Sequence, residues 1–135
     1  MGDDFEGLIQ AARDAMSQAY CPYSNFNVGA ALLTADDKVI TGVNVENASY
    51  SAAICAERCA LARAVAQGHR KFEAIAVCAA PAEPTPPCGI CRQFLIEFGD
   101  MKVKIILKYY LKCVKISKKI FLDAILLAYE FAKIL

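Results

Sequence analysis

Three cysteines and one glutamate constrain this chain most, because any fold it adopts has to bring them together. Cys55-Ala56-Glu57 lies far from Pro87-Cys88-Gly89-Ile90-Cys91, with thirty-two residues separating Cys55 from Cys88. Three thiolates hold Zn²⁺ tetrahedrally and leave the fourth position open for water, the layout of a catalytic zinc site rather than a structural one. Glu57, two residues from one ligand, reaches that open position without occupying it. A lone Cys-x-x-Cys also fits a redox pair or half of a zinc ribbon. Its combination with Cys-x-Glu is far more specific. A structural site needs a fourth ligand, and the single histidine, His69, reads as a surface residue of the Gly68-His69-Arg70-Lys71 turn.

Hydrophobic periodicity supplies the frame around these motifs. Leu8, Ala11, Ala12, Ala15 and Ala19 recur at helical spacing and predict an amphipathic helix over residues 4–19, ended by Pro22. Residues 28–34 and 39–45 read as the strands of a hairpin around a polar turn at 35–38. A helical pattern over 53–67 stops at Gly68, a C-cap. Residues 72–79 read as a buried strand, 88–98 as a helix ended by Gly99, and 103–107 and 111–116 as two more strands. A closing helix is predicted over 121–132. The order αββαβαββα predicts an α/β sandwich on one sheet of five strands, in a single domain covering 1–135.

Composition narrows the setting. Net charge is +1, so the whole molecule makes no electrostatic case for a nucleic-acid or membrane partner. Residues 102–135 carry eight lysines against Asp123 and Glu130, a local excess balanced by the acidic remainder. Seven cysteines and no secretory leader predict reduced thiols in a cytoplasmic protein. Cys59 and Cys78 read as small buried residues, Cys21 as a turn residue and Cys113 as a strand residue.

Both cysteine motifs fall where a predicted helix begins. Helix N-termini carry unpaired N–H groups and partial positive charge, which favour thiolates. Three thiolates leave a zinc site at net −1. The helix N-termini offset that excess, as does Arg58 if its guanidinium reaches a thiolate. Glu57 then carries a proton from water to the substrate.

A non-ligand Glu beside a Pro-Cys-x-x-Cys pair is a zinc-deaminase signature. Over roughly residues 8–99 the chain resembles the small homotetrameric cytidine deaminases of pyrimidine salvage. Tyr20-Cys-Pro-Tyr-Ser-Asn-Phe-Asn-Val-Gly-Ala-Ala-Leu32 resembles the family's first block, and Gly42-Val-Asn-Val-Glu-Asn-Ala-Ser-Tyr50 its nucleoside-binding block. Cys55-Ala-Glu-Arg58 and Pro87-Cys-Gly-Ile-Cys-Arg-Gln93 complete the core.

The resemblance implies a three-layer α/β/α sandwich on a mixed five-stranded sheet and one Zn²⁺ per chain, on Cys55, Cys88 and Cys91. It implies Asn44 and Glu46 on the ribose hydroxyls and Phe26 against the base. Val45, Asn47, Ala48, Ser49, Tyr50 and Ala56 are the other substrate-binding residues it implies, with Arg58 and Gln93 supporting the metal ligands. Tyr23, Tyr50 and Phe131 are the residues it places near neighbouring subunits of a homotetramer.

The tail departs from the family. Lys108-Tyr-Tyr-Leu-Lys112 lacks a Gly or Asn turn, and Leu126-Leu-Ala-Tyr-Glu-Phe131 has Ala128 where Pro is usual. Position 90 is Ile instead of the usual Ala, read as a change in local packing. The expected activity is hydrolytic deamination of free cytidine and deoxycytidine. A polynucleotide deaminase needs a basic channel with stacking aromatics, for which only the lysine-rich tail with Tyr109 and Tyr110 is available. A non-catalytic zinc scaffold has no use for Glu57.

Overall fold

The computed structural model describes residues 5–79, 87–99, 102–107 and 111–115, the last two segments through their backbone pairing. The helix expected over 121–132, and Phe131 with it, lie outside the described residues. Helix α1 spans Glu6–Ala15 and is followed by a 3₁₀ turn at Met16–Gln18. It stops earlier than its periodicity suggested. Ser17 Oγ donates to the Asp14 carbonyl at 3.0 Å, a local side-chain bond that competes with helix continuation. Leu8, Ile9 and Ala12 are its buried residues, so Ala15 and Ala19 are not part of the fully buried face.

Strands β1 (Val28–Thr34) and β2 (Val39–Val43) form the expected hairpin. Buried Thr34 closes it: its hydroxyl accepts from Lys38 N at 2.9 Å and pairs with the Lys38 carbonyl at 3.2 Å. Helix α2 runs Ala56–Ala66. At its end Gly68 N donates to Val65 O and His69 N to Ala64 O, both at 3.0 Å, with Gly68 at φ +95°. That is the glycine C-cap expected from the sequence.

Strand β3 (Phe72–Ala79), helix α3 (Gly89–Ile96), β4 (Lys102–Leu107) and β5 (Leu111–Lys115) follow. The sheet order is β2-β1-β3-β4-β5; β3 and β4 are parallel and the other neighbours antiparallel.

Strand alternation divides the core into two clusters. Ala30, Leu32, Ile75 and Val77 pack with Ala56, Ala60, Leu61 and Ala64 of α2 and Leu95 of α3. Ala31, Ala74, Ala76 and Cys78 point the other way, onto Leu8, Ile9 and Ala12 of α1. Helices therefore cover both faces of β1 and β3, the α/β arrangement expected. Phe72 and Phe98 meet edge to face at 5.5 Å and anchor the far end of α3. No helix among the described residues is long and apolar enough to cross a membrane.

Alanine-rich faces let the helices lie close to the sheet, and two glycines mark the nearest approach. A Cβ on Gly29 would sit 2.0 Å from Ala12 O, and one on Gly42 would sit 2.2 Å from Ala60 N. These are backbone atoms, which cannot rotate aside. Gly42→Ala is expected to destabilise by about 1–3 kcal/mol or more, as overpacking does. It also pushes on α2, so thermal melting should show a lower midpoint accompanied by weaker metal retention at Cys55.

Candidate active site

Two helix starts and one strand end build the site. Cys55 is the N-cap of α2 and Cys88 the N-cap of α3, both in extended conformation. The helix over 53–67 thus begins one residue after Cys55, and Cys55 and Cys88 occupy the expected N-terminal positions. Cys91 lies in the first turn of α3, where its N–H donates to Cys88 Sγ at 3.4 Å. The sulfur atoms of Cys55, Cys88 and Cys91 all lie within 4.8 Å of one another, with Cys55 and Cys88 at 3.8 Å. A regular tetrahedron with Zn–S bonds of about 2.3 Å has edges of about 3.8 Å. The trio therefore fits zinc.

The electrostatics agree with a thiolate site. The Cys91 thiol, hydrogen-bonded to Cys55, together with Arg58 brings Cys55 down to about pKa 5. The same shared proton, with burial, pushes Cys91 well up. One proton held between two sulfurs is what a metal displaces on binding. Arg58 Nη2 lies 3.5 Å from Cys55 Sγ, so the guanidinium does reach a thiolate. Its Nε is buried with no hydrogen-bond partner among the described residues.

Glu57 is 6% exposed, and burial, followed by the Cys55 charge, raises its pKa. Its position, the second residue of α2, turns it inward while Cys55 takes the helix start.

These groups open into a cavity of about 420 Å³. Of the substrate residues expected from the sequence, Phe26, Asn44, Val45, Glu46, Tyr50 and Ala56 line it, as do Cys55, Glu57, Arg58 and Cys88. Asn47, Ala48 and Ser49 are exposed and outside the lining; Ser49 N donates to Asn47 Oδ1 at 2.9 Å in a turn. Gln93 is exposed on α3 and does not line the cavity. Tyr23 and Tyr50 are exposed, Tyr50 to 78%. His69 is at the opposite end of α2, its Nδ1 3.3 Å from Asp36 Oδ1, and is no part of the trio. Cys21 and Cys78 are buried as small residues, while Cys59 is only half-buried.

Sequence reasoning passed over several residues here. Arg92 Nε donates to Pro87 O at 2.8 Å and fixes the chain entering the Cys88–Cys91 turn. Its place directly after Cys91 was the available signal. Val28, Ile54 and Val77 supply apolar wall. Ile90 is more than a packing change: 65% exposed, it faces the cavity between two of the thiols.

Comparison with known proteins agrees with this geometry. The family model for the cytidine and deoxycytidylate deaminase zinc-binding region matches residues 3–107. A cytidine deaminase of Halalkalibacterium halodurans is 50% identical over 104 residues, covering 77% of this chain and 79% of that protein. A cytidine deaminase of Sporosarcina psychrophila is 50% identical over 102 residues, covering 74% and 75%. The crystal structure of cytidine deaminase from Burkholderia pseudomallei superposes with a TM-score of 0.78 at 48% identity, covering 82% of this chain and 91% of that one.

Proposed function

Since the chain belongs to the cytidine and deoxycytidylate deaminase family, we propose that it hydrolyses free cytidine and 2′-deoxycytidine to uridine and 2′-deoxyuridine, releasing ammonia, as a zinc-dependent enzyme of pyrimidine salvage in the cytoplasm. The observation that carries this reading is Glu57: a buried carboxyl on the cavity lined by Cys55 and Cys88 of the thiol trio, yet not itself one of the three thiols.

Cys55, Cys88 and Cys91 would hold the zinc. When bound, zinc supplies Lewis acidity that brings water toward deprotonation near neutral pH. Glu57 accepts one proton from the attacking water and delivers it to the ring nitrogen, where it stays. It then moves the second proton, from the hydroxyl now on the ring carbon, to the amine, which leaves as ammonia while the carbonyl forms. A carboxyl whose pKa is raised by burial suits both accepting and giving a proton. Phe26 packs against the base, with Val45 and Ala56 as neighbouring wall. Asn44 and Glu46 hold the sugar hydroxyls, Asn47, Ala48 and Ser49 complete the substrate-binding segment, and Gln93 supports the ligand pair. The whole chain, 1–135, is one domain with the family's three-layer sandwich and mixed five-stranded sheet. It assembles as a homotetramer in which Tyr23, Tyr50 and Phe131 serve a neighbouring site.

Loss of cytidine absorbance, followed with deoxycytidine, deoxycytidine monophosphate and a cytosine-containing oligonucleotide alongside, tests the reading. Turnover of the two free nucleosides and not of the oligonucleotide is expected. Activity confined to the oligonucleotide would replace the nucleoside reading with a polynucleotide one, and a monomer by sedimentation would remove the shared sites.

Arg58→Gln should keep zinc but lose about 10–100-fold in activity, the usual effect of removing a group that supports metal ligands. Without the guanidinium beside Cys55 the centre is more negative and holds protons more tightly. The pH profile of turnover therefore shifts to the alkaline side. An unchanged profile would take Arg58 out of the electrostatics of the site.

A further inference from the structure

Asn44 and Glu46 already have partners within the chain. Asn44 Oδ1 accepts from Val28 N at 2.8 Å, and its Nδ2 donates to Phe26 O at 2.7 Å, so one amide brackets the backbone on both sides of Asn27. Glu46 Oε1 accepts from Tyr23 N and Ser24 N, each at 3.1 Å. Backbone bonds run alongside: Tyr20 N donates to Asn44 O at 3.0 Å, and Glu46 N to Tyr20 O at 2.8 Å.

The segment they hold is irregular; outside these bonds its anchors include Asn27 Nδ2 to Met16 O and Asn44 N to Val28 O, each at 3.2 Å. Asn25 sits at φ +55°, a conformation that L residues adopt at a cost. The segment's own bonds are few: Asn25 N to Cys21 O at 3.1 Å, Phe26 N to Ser24 Oγ at 3.0 Å and Cys21 Sγ to Phe26 O at 3.3 Å. Phe26 comes out of this turn to line the cavity.

We infer that Asn44 and Glu46 are positioning residues for the base as well as sugar ligands: they latch the turn at residues 23–28 in the one shape that presents Phe26 to the cavity. The inference rests on the cytidine deaminase reading. Each side chain still has capacity for a ligand. Beyond the backbone bonds Asn44 also meets the Cys21 side chain and Glu46 also accepts from the Ser24 side chain, which leaves a lone pair on the Asn44 oxygen and further lone pairs on the Glu46 carboxylate for a ligand. The two jobs therefore coexist, and sugar binding is coupled to the placement of the base.

A substrate without the 2′ and 3′ hydroxyls separates them. For 2′,3′-dideoxycytidine, Glu46→Ala should lower kcat/KM by about tenfold, the effect of losing hydrogen bonds to a charged acceptor, with most of the change in KM. Glu46→Gln keeps an acceptor oxygen for the two amides and should recover most of that loss, while cytidine turnover stays impaired. In a Phe26→Ala background, removing Glu46 should cost less than about twofold, because the latch then has nothing to present. Amide exchange provides a readout independent of catalysis: the Tyr23 and Ser24 amides should exchange about tenfold faster in Glu46→Ala than in wild type or Glu46→Gln.

A defect with cytidine but none with 2′,3′-dideoxycytidine, additive losses in the cycle with Phe26, or unchanged exchange would each overturn the latch. A wild-type chain that deaminates neither nucleoside, yet shows the exchange pattern, would sink the functional reading and leave the latch standing.

Discussion

Glu57→Gln should lose at least 10²–10⁴-fold in turnover while zinc and fold are retained, the range associated with a positioned general acid–base group. The carboxyl is 6% exposed at the start of α2, and Gln fills the same space. A carboxamide neither takes a proton from water nor passes one to a ring nitrogen or a leaving amine. Stability should not fall with activity. Burial already penalises ionised Glu57, and a neutral amide there has a smaller desolvation cost. Metal analysis should give one zinc per chain in both proteins, and the melting midpoint of the variant should match or exceed that of wild type. A variant that kept more than about a tenth of the wild-type rate would exclude Glu57 as the proton carrier.

What was legible in the sequence follows from how locally each feature is encoded. The hairpin of β1 and β2, the strand at Phe72–Ala79 and the stop at Gly68 are written in short-range patterns, and the structure has them. The metal trio was legible for a different reason: Cys55, Cys88 and Cys91 are residue types with few other uses at that spacing, and their sulfur atoms do converge. Helix ends were read less well. α1 yields to a 3₁₀ turn because Ser17 bonds back to Asp14, which periodicity does not register. α2 begins at Ala56 because Cys55 is spent as its N-cap.

The cavity wall was least legible. Val28 and Val77 look like any apolar residues until the folding of β1 and β3 brings them to one space, and Ile90 stood out only as a change in local packing. The inward bonding of Asn44 and Glu46 was hidden for the same reason. Their partners are backbone groups up to 23 residues away, and backbone groups carry no sequence signal.

Cys91→Ala should lose zinc, activity and stability together, and comparison with Cys88→Ala separates the metal's contribution from that of packing. Either substitution leaves two thiols, too few for the site, so zinc content should fall from about one per chain to near zero and deamination with it. Metal binding free energy is folding free energy wherever the site forms only in the folded chain. Here the site joins the starts of α2 and α3, which otherwise meet through Leu95 and the core beneath it. Both variants should therefore melt well below the zinc-loaded wild type.

The two sulfurs differ in what surrounds them. Cys88 is exposed, whereas Cys91 is 0% exposed. Against wild type stripped of zinc with a chelator, Cys88→Ala should lose only the weak N-cap bond that its sulfur accepts from Cys91 N. Cys91→Ala should cost about a further 1 kcal/mol or more, because it empties a packed position. Equal melting of the two variants and the stripped protein would assign the whole effect to the metal. Full deaminase activity in a verified metal-free chain would rule out the zinc mechanism itself.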